Sequence, residues 1–269
     1  MNWIYLNKNN SDEYIEMFAC GSGAGSTTLE TWNYNDNNNP VVIRGIMKHK
    51  IIKRCWQDGR KFRYMDSGYL GNRQSSSNPH GWKWWHRIVD NDLQHGAIVK
   101  REDDRWKKLG YQLKPRRHGS KILIAAPDEK PCIFYGINLQ EWLDKTIAVI
   151  KQHTDREIVV RERNPNRQTR VSNSLESALD DVHALVTYNS IAATEAIIEG
   201  VPSFTLAPAN AAMPVANTDL TKIDEPWWPD QDQRHAWACH LAYGQFHINE
   251  LRDGTAARIL DKTEELSYA

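Results

Sequence analysis

No apolar run in this chain approaches the ~18 residues of a membrane-spanning helix, and its first residues, MNWIYLNKNN, lack the apolar centre of a signal peptide. The expectation is a soluble, cytoplasmic protein with no membrane partner. Cysteine is scarce: Cys20, Cys55, Cys132 and Cys239 lie far apart, with no Cys-x-x-Cys pair. That argues against a disulfide framework or a zinc motif and leaves buried or inert thiols. Net charge is missing as well, since 34 Lys and Arg balance 34 Asp and Glu. No internal repeat is visible.

What is present is a chain of 269 residues, 40% hydrophobic and 25% charged, the composition of a globular protein with one large domain or two small ones. The zero net charge hides a division. Residues 41–120 hold 19 Lys and Arg against 7 Asp and Glu, a net +12, and the remainder is −12. The basic block also carries five of the ten histidines. It suggests a polyanionic partner; the plainer alternative is a solvated surface neutralised by the acidic remainder. Eleven tryptophans cluster at Trp82, Trp84 and Trp85 and at Trp227 and Trp228. They suit core packing and loop pinning, or platforms that stack on sugars or bases.

Periodicity predicts strands at NWIYLN, VVIRGI (41–46) and KFRYMDSGY, with helices at SDEYIEMFACGSG and KHKIIKRCWQDG between them. Residues 71–118 read as irregular apart from one strand near Trp84–Val89. The second half is clearer. KILIAAP (121–127), EIVVRER (157–163), HALVTYN (183–189) and PSFTL (202–206) read as strands alternating with helices over 138–153, 174–181 (capped by Ser174) and the stretch after Asn189. That alternation specifies a parallel sheet with crossover helices. A last helix is expected over 232–246, where Ala236, Trp237, His240, Leu241 and Gln245 share helical spacing. The domain boundary is expected at KPRRHGS (114–120), giving domains 1–115 and 116–269, the latter with C-terminal helices.

In an open parallel sheet, ligands bind outside the carboxyl ends of strands. The stretch VTYNSIAATEAIIEGVPSF (186–204) places Ser190 as a cap at such an end, with free backbone N–H groups behind it that suit a phosphate. Glu195 lies more than a turn farther in, within reach of a ribose hydroxyl. Here the residues resemble a known pattern: EAIIEGVP is similar to the donor motif Glu-Ala-x-x-x-Gly-x-Pro of glycosyltransferases of the GT-B type. The resemblance implies an α/β fold of two Rossmann-like domains, GT-B-like, with a C-terminal helical tail. It also implies a nucleotide-sugar as donor and co-substrate, with Glu195 on the ribose and Ser190 with Ile191 on the phosphates. The chain departs from the pattern in having YNSIAAT where the family has a glycine-rich element. Arg161 and Arg163, with Arg167 and Arg170, follow a strand and suit a leaving diphosphate, and no Asp-x-Asp pair stands at a plausible site. Both features favour a metal-independent enzyme with no cofactor. The alternative is an ordinary helix–strand joint with Glu195 on a wet face.

Sugar transfer needs a base for the acceptor's proton. Asp66, ending a strand among Ser67, Gly68 and Gly71, is the first candidate, and His86 in the Trp patch is the second. Asp66 also suits a plain Asx turn. GSGAGS (21–26) lacks a dinucleotide-loop context and reads as a flexible loop. The layout VVIRGI…FRYMDSGYLG…WWHRIV before a donor domain resembles the small bacteriophage glycosyltransferases that modify hydroxymethylated pyrimidines in DNA. That resemblance implies an inverting transfer, with a UDP-sugar as donor, onto 5-hydroxymethylpyrimidine of a DNA partner, in an infected bacterial cytoplasm. Arg44, Arg87, Trp84 and Trp85 would then contact the acceptor. Two other readings stay open: a GT-B enzyme of surface or capsular polysaccharide synthesis, and a non-catalytic nucleic-acid-binding protein on a Rossmann scaffold.

Overall fold

The computed structural model describes residues 2–9, 11–72, 84–162 and 175–267. They form two compact units, divided at Leu93/Gln94, and the tail from Tyr243 returns to the first unit. In the first unit, β1 (Ile4–Asn7), α1 (Glu13–Gly21), β2 (Ser26–Thr28), β3 (Val41–Arg44), α2 (His49–Asp58), β4 (Phe62–Ser67) and β5 (Trp85–Asp90) come in chain order. In the second lie α3 (Asp104–Leu109), β6 (Lys121–Ala125), α4 (Glu129–Tyr135), α5 (Leu139–Lys151), β7 (Glu157–Arg161), α6 (Leu175–Ala178), β8 (Val182–Thr187), α7 (Ala192–Ile198), β9 (Ser203–Thr205) and α8 (Gln231–Tyr243). The tail adds β10 (Gln245–His247), α9 (Ile248–Arg252) and α10 (Thr255–Ser267). The architecture is thus α/β, two Rossmann-like units and a C-terminal helical tail.

The first sheet has the order β10-β5-β4-β3-β1-β2, with β1 to β4 parallel and β5 antiparallel to β4 and to β10. The second has the order β7-β6-β8-β9, all parallel. Strand order therefore reverses between β1 and β3 in one unit and between β6 and β8 in the other. In open α/β sheets the carboxyl ends of strands at such a point are where ligands bind.

One face of the first sheet presents a residue from each of five strands, Tyr5, Val42, Met65, Ile88 and Phe246, to a core shared with α1, α9 and α10. Helix α1 is capped by Asp12, which accepts from Ile15 N, and buries Tyr14, Ile15, Phe18 and Ala19 on one side. A Cβ on Gly21 would lie 1.9 Å from Leu251 O, so α9 closes on the end of α1 only because that residue is glycine. The opening of GSGAGS is therefore a packing contact. In the second unit, Ile122, Ile124, Ala184, Val186 and Phe204 pack against Trp142, Leu143 and Ile150 of α5.

Several boundaries differ from expectation. The units part at Leu93/Gln94 and not at 115/116, and the tail, expected with 116–269, joins the first unit because β10 pairs with β5. Gln245, expected on a helix, belongs to that strand. It is fully buried, its side chain accepting from Leu70 N at 2.9 Å and donating to Leu70 O at 3.3 Å. Strand β2 and helices α3 and α4 were not foreseen. Ser174 lies outside the described residues. Cys55 and Cys239 are buried, whereas Cys20 is exposed. Among the described residues no helix is long and apolar enough to cross a membrane.

Candidate functional site

At the second unit's switch point β6 runs into Ala126 and Pro127, and β8 into Tyr188, Asn189 and Ser190. Thr187 Oγ1 donates to Ala125 O at 2.7 Å and knits the two strand ends together. Ser190 Oγ accepts from Ala192 N at 3.2 Å, a cap in kind, with the helix proper starting after Ile191. Two residues that sequence reasoning missed brace this loop. Asn210, fully buried, donates to Ser190 O at 3.3 Å, and Gln94, 4% exposed, donates to Asn189 O at 2.8 Å while accepting from Ala211 N at 2.9 Å. Neither has a spacing signal, because both act through contacts distant in sequence.

Helix α7 buries Ala192, Ala193, Thr194, Ala196, Ile197 and Ile198, and leaves Glu195 half-buried. Gly200 has φ 87°, and a Cβ there would lie 2.1 Å from Pro115 O. The segment before β6 is pinned at this joint, Lys114 N donating to Ile198 O at 2.8 Å and Arg117 N to Gly200 O at 2.7 Å. The glycine of the motif is thus required by packing as well as by its backbone. Arg161 ends β7 beside Ala125 in register, at the same sheet edge. Arg163, Arg167 and Arg170 lie outside the described residues, as does Trp82.

At the first unit's edge, Asp66 ends β4 with its side chain 33% exposed. Its Oδ2 accepts from Tyr64 Oη at 2.6 Å and lies 3.5 Å from the Arg87 guanidinium, while Oδ1 accepts from Ser67 N at 2.8 Å. Burial alone would raise this carboxyl. The nearby Arg87, the Tyr64 and Ser67 hydrogen bonds and the charge of Arg44 together outweigh it and hold Asp66 below the usual carboxylate range. The result is a pinned, ionised and partly accessible acid.

The other candidates of this unit separate. His86 is 1% exposed and packs against Tyr14 at 4.2 Å between ring centroids, inside the core. Arg87, expected to contact an acceptor, is 8% exposed; it donates to Ser67 O at 2.6 Å and Leu93 O at 3.2 Å, so it holds Asp66 and the loop instead. Arg44 is half-buried, paired to Asp12 at 3.2 Å and seated over the Tyr14 ring. Trp84 is exposed and stacked on His247 at 5.4 Å, whereas Trp85 is half-buried and fills the space a Cβ on Gly71 would need.

Part of the basic block is internal. Arg60, Arg63 and Arg87 are buried. Arg44 pairs with Asp12, Arg63 with Asp261, Lys114 with Glu199 and Arg117 with Asp180, all acids from outside residues 41–120. The +12 is therefore partly neutralised by the acidic remainder. Among the described residues no group of three or more His, Cys, Asp or Glu gathers in a way that could hold a metal ion.

No protein-family model matches the sequence, and no curated protein matches it. Among solved structures, the fold is similar to that of Thermosulfurimonas dismutans KpsC, beta Kdo 2,4 transferase, with a TM-score of 0.52 and 11% identity over 94% of this chain and 98% of that one. A structure of the beta Kdo 2,7 transferase of KpsC from the same organism aligns over 96% of this chain and 99% of its own, at a TM-score of 0.44 and 10% identity. By its fold, and over nearly its whole length, this chain is similar to a sugar transferase of known structure.

Proposed function

We propose that this chain is a glycosyltransferase that moves a sugar from a nucleotide-sugar to a hydroxyl of a growing polysaccharide. The observation that carries the reading is Glu195, the half-buried acid of a buried helix at the second unit's switch point, within a Glu-Ala-x-x-x-Gly-x-Pro joint. In this reading the ribose hydroxyls donate to Glu195, and the phosphate lies against the loop of Ser190 and Ile191, near Arg161. The rigidity supplied by Gln94 and Asn210 means that the loop loses little entropy on binding. Asp66 takes the acceptor's proton. Held ionised but made a weak base by Arg87 and Tyr64, it accepts the proton as the acceptor oxygen bonds to the anomeric carbon and the bond from that carbon to the donor's phosphate oxygen breaks, the nucleotide leaving with the electron pair. Transfer in one displacement inverts the anomeric centre.

The fold likeness to a Kdo transferase supports a saccharide acceptor over DNA. The second acceptor, 5-hydroxymethylpyrimidine in DNA, draws on the net +12 of residues 41–120, and the burial of Arg60, Arg63 and Arg87 weakens that support. The test is a thermal-stability screen with UDP-, GDP-, dTDP- and CMP-linked sugars, since a donor at 100 times its Kd stabilises by about 2.7 kcal/mol. A stabilising donor is then incubated with acidic and neutral oligosaccharides and with hydroxymethylated DNA, and the products are weighed by mass spectrometry. Stabilisation by none of the donors overturns the enzyme reading, and sugar added to DNA alone replaces the acceptor.

A further inference from the structure

The second sheet has two edges, and the chain covers one of them. Beyond β9, Asn217 N donates to Ser203 O at 2.8 Å and Thr205 N to Asn217 O at 2.9 Å, a strand-like pairing. At the other edge, among the described residues, no strand pairs with the outer side of β7. This strand has five residues where the other edge strands, β2, β9 and β10, have three each. No proline, glycine or lysine interrupts it, and its register with β6 runs without a bulge. Those are the usual means of blunting an edge against pairing with another chain. Val160 stands 39% exposed on it, while Ile158, on the same face, packs partly into the core with α5. The phase of the backbone is fixed by Ala126 N, which donates to Arg161 O at 3.1 Å. In a strand the N–H and C=O of one residue point the same way, and the direction alternates along the chain. Glu157, Val159 and Arg161 therefore turn these groups toward β6, and Ile158 and Val160 turn theirs outward from the edge.

We propose that β7 is a dimerisation edge whose occupant is β7 of a second copy of this chain, antiparallel about a two-fold axis through Val159. The outward groups set that register. Ile158 lies opposite the partner's Val160 and exchanges both backbone hydrogen bonds with it, and the symmetric pair does the same. Val159 then meets the partner's Val159, and Glu157 meets the partner's Arg161, as non-hydrogen-bonded pairs, whose side chains come closest. The sequence is self-complementary about that axis. EIVVR sets acid against base at each end and apolar against apolar between, and in DREIVVRER (155–163) the opposition of charge continues on both sides. Moving the axis by one residue, to Ile158 or Val160, would set Glu157 or Arg161 against the partner's Val159. An unrelated strand would make the same backbone bonds without the matched ends. Arg156 is already held by Asp224 and by Gly119 O, each at 3.0 Å, whereas Glu157 is 65% exposed and lies 3.8 Å from Lys121. The Glu157–Arg161 pairs therefore carry the charge complementarity. Joined in this way, the two sheets become one, with their carboxyl edges facing opposite directions. The proposal is independent of the reaction the chain catalyses.

The experiment follows the mass of the intact chain by sedimentation equilibrium over an about hundredfold range of concentration, since a dimer forms by mass action. Hydrogen exchange of the segment 157–161 is read on the same samples. Arg161 also stands near the phosphate in the proposed function, so both measurements are made without nucleotide. The mass should rise toward that of a dimer, and exchange over 157–161 should slow in step with it. Val160→Pro removes an outward N–H, which an edge strand tolerates, and the dimer loses that bond twice by symmetry. Its dissociation constant should rise at least ~10-fold, while Val160→Thr, which keeps the N–H, should still dimerise. Glu157→Arg should weaken the dimer, and combining it with Arg161→Glu should restore it; this pair of variants decides if Val160→Pro fails to fold. A monomer mass at every concentration overturns the proposal. So does a dimer that neither Val160→Pro nor Glu157→Arg weakens, because the copies then meet elsewhere. Failure of the charge exchange to restore the dimer overturns the antiparallel register, and exchange that is already slow in the monomer would show the edge covered by its own chain.

Discussion

The two units repeat one topology, with strand order β2-β1-β3-β4 in the first matched by β7-β6-β8-β9 in the second, yet their carboxyl edges carry different chemistry. The second edge is held together by neutral groups, Ala125, Thr187, Asn189 and Ser190, through hydrogen bonds, and among the described residues Asp128, Arg161, Glu162 and Glu195 stand near it. The first edge is ionic, with Lys8, Asp12, Arg44, Lys48, Asp66 and Arg87 in mutual electrostatic reach. An edge of amides and hydroxyls suits binding a nucleotide's hydroxyls and phosphate without commitment to proton transfer. An edge of pinned, ionised groups suits moving a proton. One scaffold therefore carries two different sets of residues at its strand ends, as fold alone does not dictate chemistry.

The sharpest break of this contrast is at Asp66. Asp66→Asn should cut sugar transfer by ~10²–10⁴ and leave donor affinity unchanged, read as initial rates beside donor titration. A parallel loss of donor binding would mean that the two edges are not separable in function. Next in size is Gly21→Ala, which sets a Cβ against Leu251 O and should destabilise the first unit by about 3 kcal/mol. Denaturant melts followed by Trp fluorescence check it, and full stability would show that α9 does not need the close approach.

On the second edge, Glu195→Ala should weaken nucleotide-sugar binding by about 1.5–3 kcal/mol. Calorimetry decides, and unchanged donor affinity in a folded variant sinks the donor assignment. The smallest expected effect concerns pH. Burial, aided by Arg101, lowers His240 in α8 to about 4. Folded His240 therefore stays neutral where the unfolded chain takes up a proton. Stability is whole above about pH 6.5, falls as pH drops, and stops falling near pH 4, with about 2 kcal/mol lost by pH 4.5. His240→Gln should flatten that slope between pH 6.5 and 4 in urea melts; an unchanged slope would assign it to other groups.

Legibility in the sequence followed how local each cause was. The strands over 121–125 and 182–187 and the helix over 139–151 were visible as apolar runs and a 3.6-residue period. Asp66 and Glu195 stand out as candidates in the sequence because each ends or follows a strand among small residues. The sequence pattern extends a helix through Gln245 because Trp237, His240 and Leu241 set a period that Gln245 also satisfies. Pairing with Arg87 across ~150 residues of chain made it a strand, and no local pattern encodes such a partner. The setting of Arg87 is hidden for a similar reason: a charge count registers a guanidinium but not the Ser67 and Leu93 carbonyls and the Asp66 carboxylate around it.

By itself the sequence determined the class of fold, the alternation of strands and helices in the second half, and the Glu-Ala-x-x-x-Gly-x-Pro joint around Glu195, since propensity, periodicity and spacing are short-range properties of the chain. Only the tertiary structure decided the strand orders that set the two switch points, the return of the tail to the first unit, and the burial of Arg60, Arg63 and Arg87. It also decided the bracing of the Asn189–Ser190 loop by Gln94 and Asn210 and the holding of Asp66 by Arg87. These depend on groups far apart in the chain satisfying each other's hydrogen bonds and charges, which is settled only when folding brings them out of water together.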